Sequence, residues 1–519
     1  MKVVSASQMA DIDRYAIEKM GIPGLQLMES AGSVVAHIAE RYTRKIYGQR
    51  RIMLFVGKGN NGGDALVAAR HLIKKHPEID TRVVVLVSPD ELKGDGLENY
   101  RKLTDLAPDS IIHTETLEQL LELKPLAQKT HLLVDGIFGT GFHGSPQGHI
   151  GESIFFINSL RKPVIAIDIP SGLNGSTGEV EKMAVKADLT VTFGLPKTGL
   201  LFRDGPHYAG RITVADIGFP DEAIESVASN ISYLEWKHLR SLLPERPIDA
   251  HKGTFGHLFV LAGSVGLTGA AILACSAAMR AGCGMVTLGC PESLNTICES
   301  NLIEVITVPL PQTDARTLDY ASADSVFSII NKRKCSALLV GPGLGRHERT
   351  TKLVGDIVKH SPVPLIIDAD ALNALAESSP DILSQAQKPV VITPHPAELS
   401  RLIGVSVQDI QHDRPKYATQ CSSLFNVVTI LKGHNTIICD TDLNLYVNPT
   451  GNNGLATAGT GDVLAGLTGS FIAQGLSPVN AACTAVYAHG KAADLLGHFI
   501  GARSMIASDL IKYLPDVLR

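Results

Sequence analysis

The chain has 519 residues, 45% hydrophobic and 19% charged, with a formal net charge of −5. That length and apolar content suit two to four packed domains. With no basic block and no apolar run long enough to span a bilayer, neither nucleic acid nor a membrane is an expected partner.

The first residues, MKVVSASQMADIDRYAIEKM, have no apolar h-region and no small-residue cleavage site, so no signal peptide is expected. Met9, Ile12, Ala16 and Met20 fall at helical spacing, and Ser5 with Gln8 resembles a capping box. Pro23-Gly24 breaks this helix, and a second apolar-periodic helix covers residues 25–42. Strand-like runs then alternate with helical ones at 51–56, 82–87, 131–135, 164–168, 189–193 and 211–215. Apolar strands separated by helices predict a parallel sheet covered on both faces, with ligands bound beyond the strand carboxyl ends. The glycine-rich stretches GKGNNGGD, DGIFGTGFHGS and DIPSG all fall there.

The pattern weakens from Phe219 to Thr254, and ERPIDAHKGTFG reads as an inter-domain connection. A second α/β pattern follows, with strands at 257–262, 285–289, 337–340, 364–368, 390–393 and 427–431, and an Ala-rich helix at 268–281. Helices at 462–474, 479–496 and 506–518 end the chain, and no internal repeat links the halves. Two fused domains of different function, 1–222 and 223–519, are the simplest account. All eight cysteines lie from Cys275 onward and none forms C-x-x-C. This argues against a disulfide framework or zinc site and for buried, inert thiols in a reducing cytosol, so a cytoplasmic location is expected.

Gly57, Gly59 and Gly62 in VGKGNNGGDALVAAR spell G-x-G-x-x-G after a strand and before a helix, the spelling of a dinucleotide-binding turn. The acidic residue such a turn wants about twenty positions on, to hold the ribose, is missing. Asn60-Asn61 supplies amide oxygens that suit a hard cation, although Asn and Gly also simply make tight turns. Asp135 and Asp168 each end a strand. With Asn61 and Ser171 they make an all-oxygen cation site, or else they cap turns.

In the second half, Ala458-Gly-Thr-Gly-Asp462 sits where a loop enters a long apolar helix. Converging backbone N–H groups there form an anion hole for a transferring phosphoryl group, and Asp462 is placed to take a proton from an attacking hydroxyl. The bland alternative is a Gly-rich turn with Asp462 as N-cap. No G-x-x-x-x-G-K-[ST] occurs, so this is not a P-loop protein. GPGLG, DADALN, TPHPAELSR and KGHNT complete a pattern that resembles the ribokinase-like small-molecule kinases, an α/β sandwich.

The whole chain, over residues 5 to 515, resembles the bifunctional NAD(P)H-hydrate repair family, an epimerase domain fused to a nucleotide-dependent dehydratase domain. NNGGD, DGIFGTG and DIPSG match the first domain, and HKGTFG, GSVGLTGAA, GPGLG, TPHPAE, KGHNT, NPTGN and AGTGD the second. The resemblance implies a Rossmann-like doubly wound sheet with flanking helices, then a ribokinase-like sandwich. It implies that hydrated NADH and NADPH are substrates, epimerised at C6 by the first domain and dehydrated by the second with ADP or ATP.

Carried over by motif, Asn60, Asn61, Gly62, Gly63 and Asp64, with Gly139, Thr140, Gly141, Phe142, His143, Gly144 and Ser145, contact the hydrate in the first domain, and Asp168 faces the reactive ring. Asn61, Asp135 and Ser171 hold K⁺. In the second domain Gly343, His395, Pro396, Ala397, Glu398, Leu399, Ser400, Arg401 and Asp462 contact the hydrate, Asp462 being the base. Lys432, Gly433, His434, Asn435 and Thr436 contact the nucleotide, as do Asn452, Asn453, Gly454, Leu455, Ala456, Thr457, Ala458, Gly459, Thr460 and Gly461. Mg²⁺ is the expected phosphate partner, and pairing through the first helix would make a homo-oligomer. The competing readings are a vitamin-precursor kinase of the hydroxymethylpyrimidine or thiazole type, opposed by NNGGD and TPHPAE, and a non-catalytic nucleotide-binding scaffold, opposed by the intact carboxylates and AGTGD.

Overall fold

Seven strands, all parallel, build the first sheet: β1 (Arg50–Val56), β2 (Ile79–Val85), β3 (Ile111–His113), β4 (Leu132–Gly136), β5 (Val164–Ile167), β6 (Leu189–Phe193) and β7 (Arg211–Ala215). Their order is β3-β2-β1-β4-β5-β6-β7, the doubly wound arrangement in which the strand order reverses between β1 and β4. The computed structural model describes residues 1–519, which form two compact units: Lys2–Ser229, and Asn230–Arg519 with Met1.

Alternation along β1 explains why both faces of this sheet are dry. Ile52, Leu54 and Val56 join the core on one face, while Met53 and Phe55 join the core on the other. Val56 pairs with Gly136 and Asp135 with Ala166, so the carboxyl ends of β1, β4 and β5 are neighbours and their three loops meet at the reversal point. The first helix, Ala6–Arg14, carries the Ser5–Gln8 capping box and runs on through a π-turn at Tyr15–Lys19. Ala6, Met9 and Ile12 are buried, Met9 and Ile12 in this unit's own core.

The second unit holds β8 (Ile231–Tyr233), β9 (His257–Leu261), β10 (Met285–Pro291), β11 (Ile306–Leu310), β12 (Ala337–Val340), β13 (Leu365–Ile367), β14 (Val390–Ile392), β15 (Val428–Leu431), β16 (Ile437–Cys439) and β17 (Leu445–Val447). They form one sheet in the order β11-β10-β9-β12-β13-β14-β15-β16-β17-β8. It is parallel except for the antiparallel steps β15–β16 and β16–β17. Helix Thr268–Arg280 packs on helix Thr460–Ala473 closely enough that a Cβ on Gly466 would stand 2.1 Å from the Ala274 carbonyl oxygen. The small residues of both helices permit that approach.

Three expectations need correction. ERPIDAHKGTFG lies inside the second unit, because β8 already belongs to its sheet and the units divide between Ser229 and Asn230. The second strand occupies Ile79–Val85, earlier than 82–87, since Ile79 pairs with Arg50 and the strand follows β1 along its whole length. The helix carrying Asp462 begins at Thr460 with Gly459 as N-cap, so Asp462 stands in the first turn and is not the cap. All eight cysteines are free and buried, and all belong to the second unit. No helix is long and apolar enough to cross a membrane.

Candidate active sites

In the first unit Gly57 and Gly62 of the opening loop serve packing. A Cβ on Gly57 would meet the Ile137 oxygen at 2.1 Å, and one on Gly62 would meet the Gly57 oxygen at 2.0 Å. The loop after β1 is therefore pressed against the loop after β4, and Asn61 at the start of helix Asn60–Lys75 reaches across. Its amide nitrogen donates to the carbonyls of Phe138 (2.8 Å) and Ile167 (3.0 Å).

Asp135 and Ser171 complete this cluster. The Ser171 hydroxyl donates to Asp135 Oδ1 at 2.6 Å, the Ser171 N–H to Oδ2 at 2.8 Å, and the Phe138 N–H to the Ser171 hydroxyl at 2.8 Å. Asp135 is wholly buried and no cationic side chain pairs with it. Burial pushes its carboxyl up to about 6, against the opposing hydrogen bonds from Ser171. A buried carboxylate compensated only by neutral donors, among amide, hydroxyl and carbonyl oxygens, fits a large monovalent cation. No cluster of three His, Cys, Asp or Glu offers a transition-metal alternative.

Asp168 lies one strand away, with its backbone in the left-handed region at φ 60°. A side chain held in that region is strained and must be fixed by its surroundings. Here Oδ1 accepts from Lys197 Nζ at 2.7 Å, Thr192 Oγ1 at 3.1 Å and the Phe193 N–H at 3.3 Å. The second carboxylate oxygen makes no hydrogen bond and is left for a ligand. Lys197 is 1% exposed. Asp64 is held well above the usual carboxylate range by burial first, then by Asp168 and Asp13. Beside this group Phe138 and Phe142 stack at 4.4 Å, a flat apolar wall. Gly139 lies against Asn61, whereas His143 and Gly144 are exposed and the Ser145 hydroxyl is buried without a partner.

In the second unit the helix Thr460–Ala473 opens at Gly459, whose φ of 89° turns the chain into the first turn. Lys432 at the end of β15 faces that turn: a Cβ on Gly461 would stand 3.5 Å from its ammonium. The ammonium pairs with Asp368 at 2.9 Å and Glu398 at 3.7 Å, and the Thr393 hydroxyl donates to Asp368 at 2.5 Å. Asp462 is pushed up to about 7 by burial and then by Asp368, against Lys432. A carboxyl titrating near neutral pH beside converging helix N–H groups suits proton abstraction next to a transferring anion.

The surrounding motifs hold this group in place. His395 caps helix Pro396–Ile403 through Nδ1, and Glu398 returns a bond to the His395 N–H. Arg401 Nε donates to Asn373 Oδ1 at 3.0 Å. Leu399 is fully buried in this helix. Asn452 spends its amide on the Ala493 carbonyl and the Gly454 N–H and so shapes the loop. A cavity of about 680 Å³ lined by Arg246, Met279, Arg280 and Gln474 lies at the far end of helix Thr460–Ala473, away from Asp462.

Family models agree with both halves. One for NAD(P)H-hydrate dehydratase matches residues 258–516, and one for the YjeF-related protein N-terminus matches residues 24–199. The bifunctional NAD(P)H-hydrate repair enzyme of Moorella thermoacetica is 40% identical over 522 residues, covering 100% of this chain and 97% of its own length. The chain belongs to the bifunctional NAD(P)H-hydrate repair enzyme family. The Salinibacter ruber repair enzyme is 35% identical, with 99% of this chain and 96% of that protein covered. A crystal structure of the ADP/ATP-dependent NAD(P)H-hydrate dehydratase from Bacillus subtilis, co-crystallised with ATP and Mg²⁺, is 32% identical, covers 56% of this chain and 98% of its own, and has a TM-score of 0.48.

For this member of the repair family, sequence reading missed Lys197, Thr192 and Asp13 in the first site. In the second it missed Arg414, whose guanidinium donates to the His434 and Leu431 carbonyls and so fixes the Lys432–Thr436 loop. None of these sits in a glycine-rich motif. The strand-end position of Asp368 in DADALN was the one available signal for the Lys432 pair.

Proposed function

We propose that the chain repairs hydrated NADH and NADPH in two steps. The first unit interconverts the two configurations at C6 of the hydrated nicotinamide ring. The second removes water from the S hydrate with ADP as phosphoryl donor, releasing NAD(P)H, AMP and phosphate. Asp462 carries this reading: a carboxyl pushed up to about 7, in the first turn of a helix whose N–H groups converge at Gly459–Gly461.

Hydroxide is a poor leaving group and phosphate a good one. Asp462 takes the proton of the C6 hydroxyl as its oxygen receives the phosphoryl group. The C6–O bond then breaks with the ring nitrogen lone pair assisting, phosphate leaves, and loss of a proton at C5 restores the ring double bond. The helix amides stabilise the charge on the transferring group, and removing one such donor typically costs about 3 kcal/mol of barrier. Lys432 and the loop that Arg414 holds bind the nucleotide, while His395 to Arg401 and Gly343 hold the hydrate. Magnesium, where bound, neutralises phosphate charge.

In the first unit Asn60 to Asp64 and Gly139 to Ser145 bind the hydrate, and Asp168 moves a proton at C6. Asn61, Asp135 and Ser171 fit K⁺, which would compensate the buried charge of Asp135 and tie three loops together.

Incubating the full chain with a mixture of both NADH hydrate epimers tests this. With ADP, NADH absorbance should recover completely, because epimerisation feeds the dehydration, and without nucleotide it should not recover. Transfer of phosphate to a hydroxymethylpyrimidine or thiazole alcohol, with the hydrate untouched, would overturn the reading. An ATP arm decides the donor.

A further inference from the structure

Inverting C6 of the hydrate requires two proton transfers. The leaving hydroxyl must gain a proton on one face of the ring, and the incoming water must lose one on the other. A single carboxylate fixed to one strand end serves one face. The first site holds a second carboxyl from a different element that none of the roles above employs.

That group is Asp13, on helix Ala6–Arg14. The chain before the helix binds the segment carrying Lys197: the Val4 N–H donates to the Pro196 carbonyl at 3.1 Å, and the Thr198 N–H donates to the Val4 carbonyl at 2.9 Å. The Ala6 N–H donates to Ser176 Oγ at 3.0 Å. These bonds tie the start of the helix to the segments on either side of the Lys197–Asp168 pair. Asp13 is half-buried, makes no hydrogen bond or ion pair, and lies in the field of both residues.

We propose that Asp13 and Asp168 are the acid and base of the epimerisation, with Lys197 between them as the positioning residue that fixes the Asp168 carboxylate. The proposal rests on the first unit being the epimerase. Asp13 gives its proton to the C6 hydroxyl, the ring nitrogen lone pair forms the N1=C6 double bond, the C6–O bond breaks and water leaves. Water then adds to C6 from the opposite face. The electron pair returns to nitrogen, and Asp168 takes the proton of the added water. One water is lost and one gained, and solvent carries the proton from Asp168 back to Asp13. For an acid at this place the protonated form must be available. The groups facing Asp13 are Lys197, Asp168 and Asp64, and burial, opposed by Lys197 and reinforced by Asp168, pushes its carboxyl up to about 6.

Epimerisation by the full chain in potassium buffer without nucleotide, followed by chromatographic separation of the epimers, provides the test. Asp13→Asn should lose about 100-fold or more of the rate, the general-acid range, with KM for the hydrate within about twofold of wild type. The wild-type rate should fall as pH rises through about 6, and Asp13→Asn should lack that limb. Asp13→Glu should restore part of the rate. Lys197→Met should lower the rate without changing the position of the limb by more than the loss of its charge requires. Should that variant fail to fold, Asp13→Asn carries the test alone. Near wild-type epimerisation by Asp13→Asn, with an unchanged pH profile, would overturn the pair. So would loss of the rate in Asp64→Asn with Asp13→Asn unaffected. A wild-type chain that leaves the epimers as they were overturns the epimerase reading itself, and the pair with it.

Discussion

The ammonium of Lys432 stands 2.9 Å from Asp368 Oδ1 and 3.7 Å from Glu398 Oε2, while facing the helix turn that carries Asp462. One lysine thus answers three carboxyl groups. Burial, the largest single influence, lowers its affinity for a proton, yet that affinity rises because Asp368, Glu398 and Asp462 together outweigh burial. The uncompensated negative charge falls on Asp462, which after burial is raised chiefly by Asp368.

A base that must be ionised gives a rate that climbs with pH. Dehydration should therefore rise as pH passes about 7 and level off above it. Asp462→Asn should lower the dehydration rate by about 100-fold or more and leave epimerisation unchanged. Initial rates across a pH series, with each activity assayed separately, check this. A variant that dehydrates at near the wild-type rate rules out proton abstraction by this carboxyl.

Replacing Lys432 with Met removes the charge that opposes the rise of Asp462. The rising limb of the dehydration profile should then move to higher pH, and the apparent KM should increase more for ADP than for the hydrate. Asp368, 1% exposed, would be left unpaired, and breaking a buried pair costs about 3–5 kcal/mol, so denaturant melts should show a lower midpoint. Equal KM effects on both substrates would assign the lysine to folding alone.

The cation prediction concerns Asp135. Exchanging potassium for a bulky organic cation should abolish epimerisation by the full chain while dehydration of pure S hydrate continues in the same buffer. Asp135→Ala should stay inactive at high potassium. Full epimerisation in buffer free of potassium and sodium would return Asp135, with its three bonds from Ser171 and Ile137, to the status of a structural cap.

His489 sets a pH limit on stability. It is buried, bonded to the Thr460 backbone, with Nε2 unpartnered, and burial lowers it to about 4. The unfolded chain binds this proton near the ordinary 6.5, so the unfolded state holds more protons between 6.5 and 4 and stability falls as pH falls through that window. Carboxyls raised by burial act in the opposite direction, so the contribution is read as a difference: wild type should lose more stability than His489→Gln between pH 7 and pH 4.5. The excess should be on the order of 3 kcal/mol. Parallel losses in both would remove His489 from the account.

How far the sequence discloses these features depends on where each signal resides. The three loops of the first site were legible because each follows a long apolar strand and carries glycines, and parallel-sheet topology sends such loops to one edge. The strands β3, β8 and β11 were not, because they edge their sheets and lack a fully buried apolar run, and β16 and β17 were not, because they are short antiparallel strands with no helix between them to set them off. Lys197 was hidden for a different reason. Lysine is normally solvated, and nothing local distinguishes one that tertiary packing buries beneath a strand-end aspartate. Asp13 lies on the polar side of an amphipathic helix, where sequence alone predicts solvent. The G-x-G-x-x-G spelling was ambiguous for a physical reason: Gly57 is demanded by contact with the loop after β4 and Gly62 by contact with Gly57, and a phosphate would have demanded glycines at the same places.

The distribution of thiols gives the molecule a built-in clock for half of itself. All eight lie in the second unit and each is buried. A thiol-reactive dye therefore labels the chain only when that unit opens, and it is blind to the first. Labelling rates with and without ADP would time the opening of the phosphoryl-transfer half in the intact chain, with no engineered probe and no need to separate the domains.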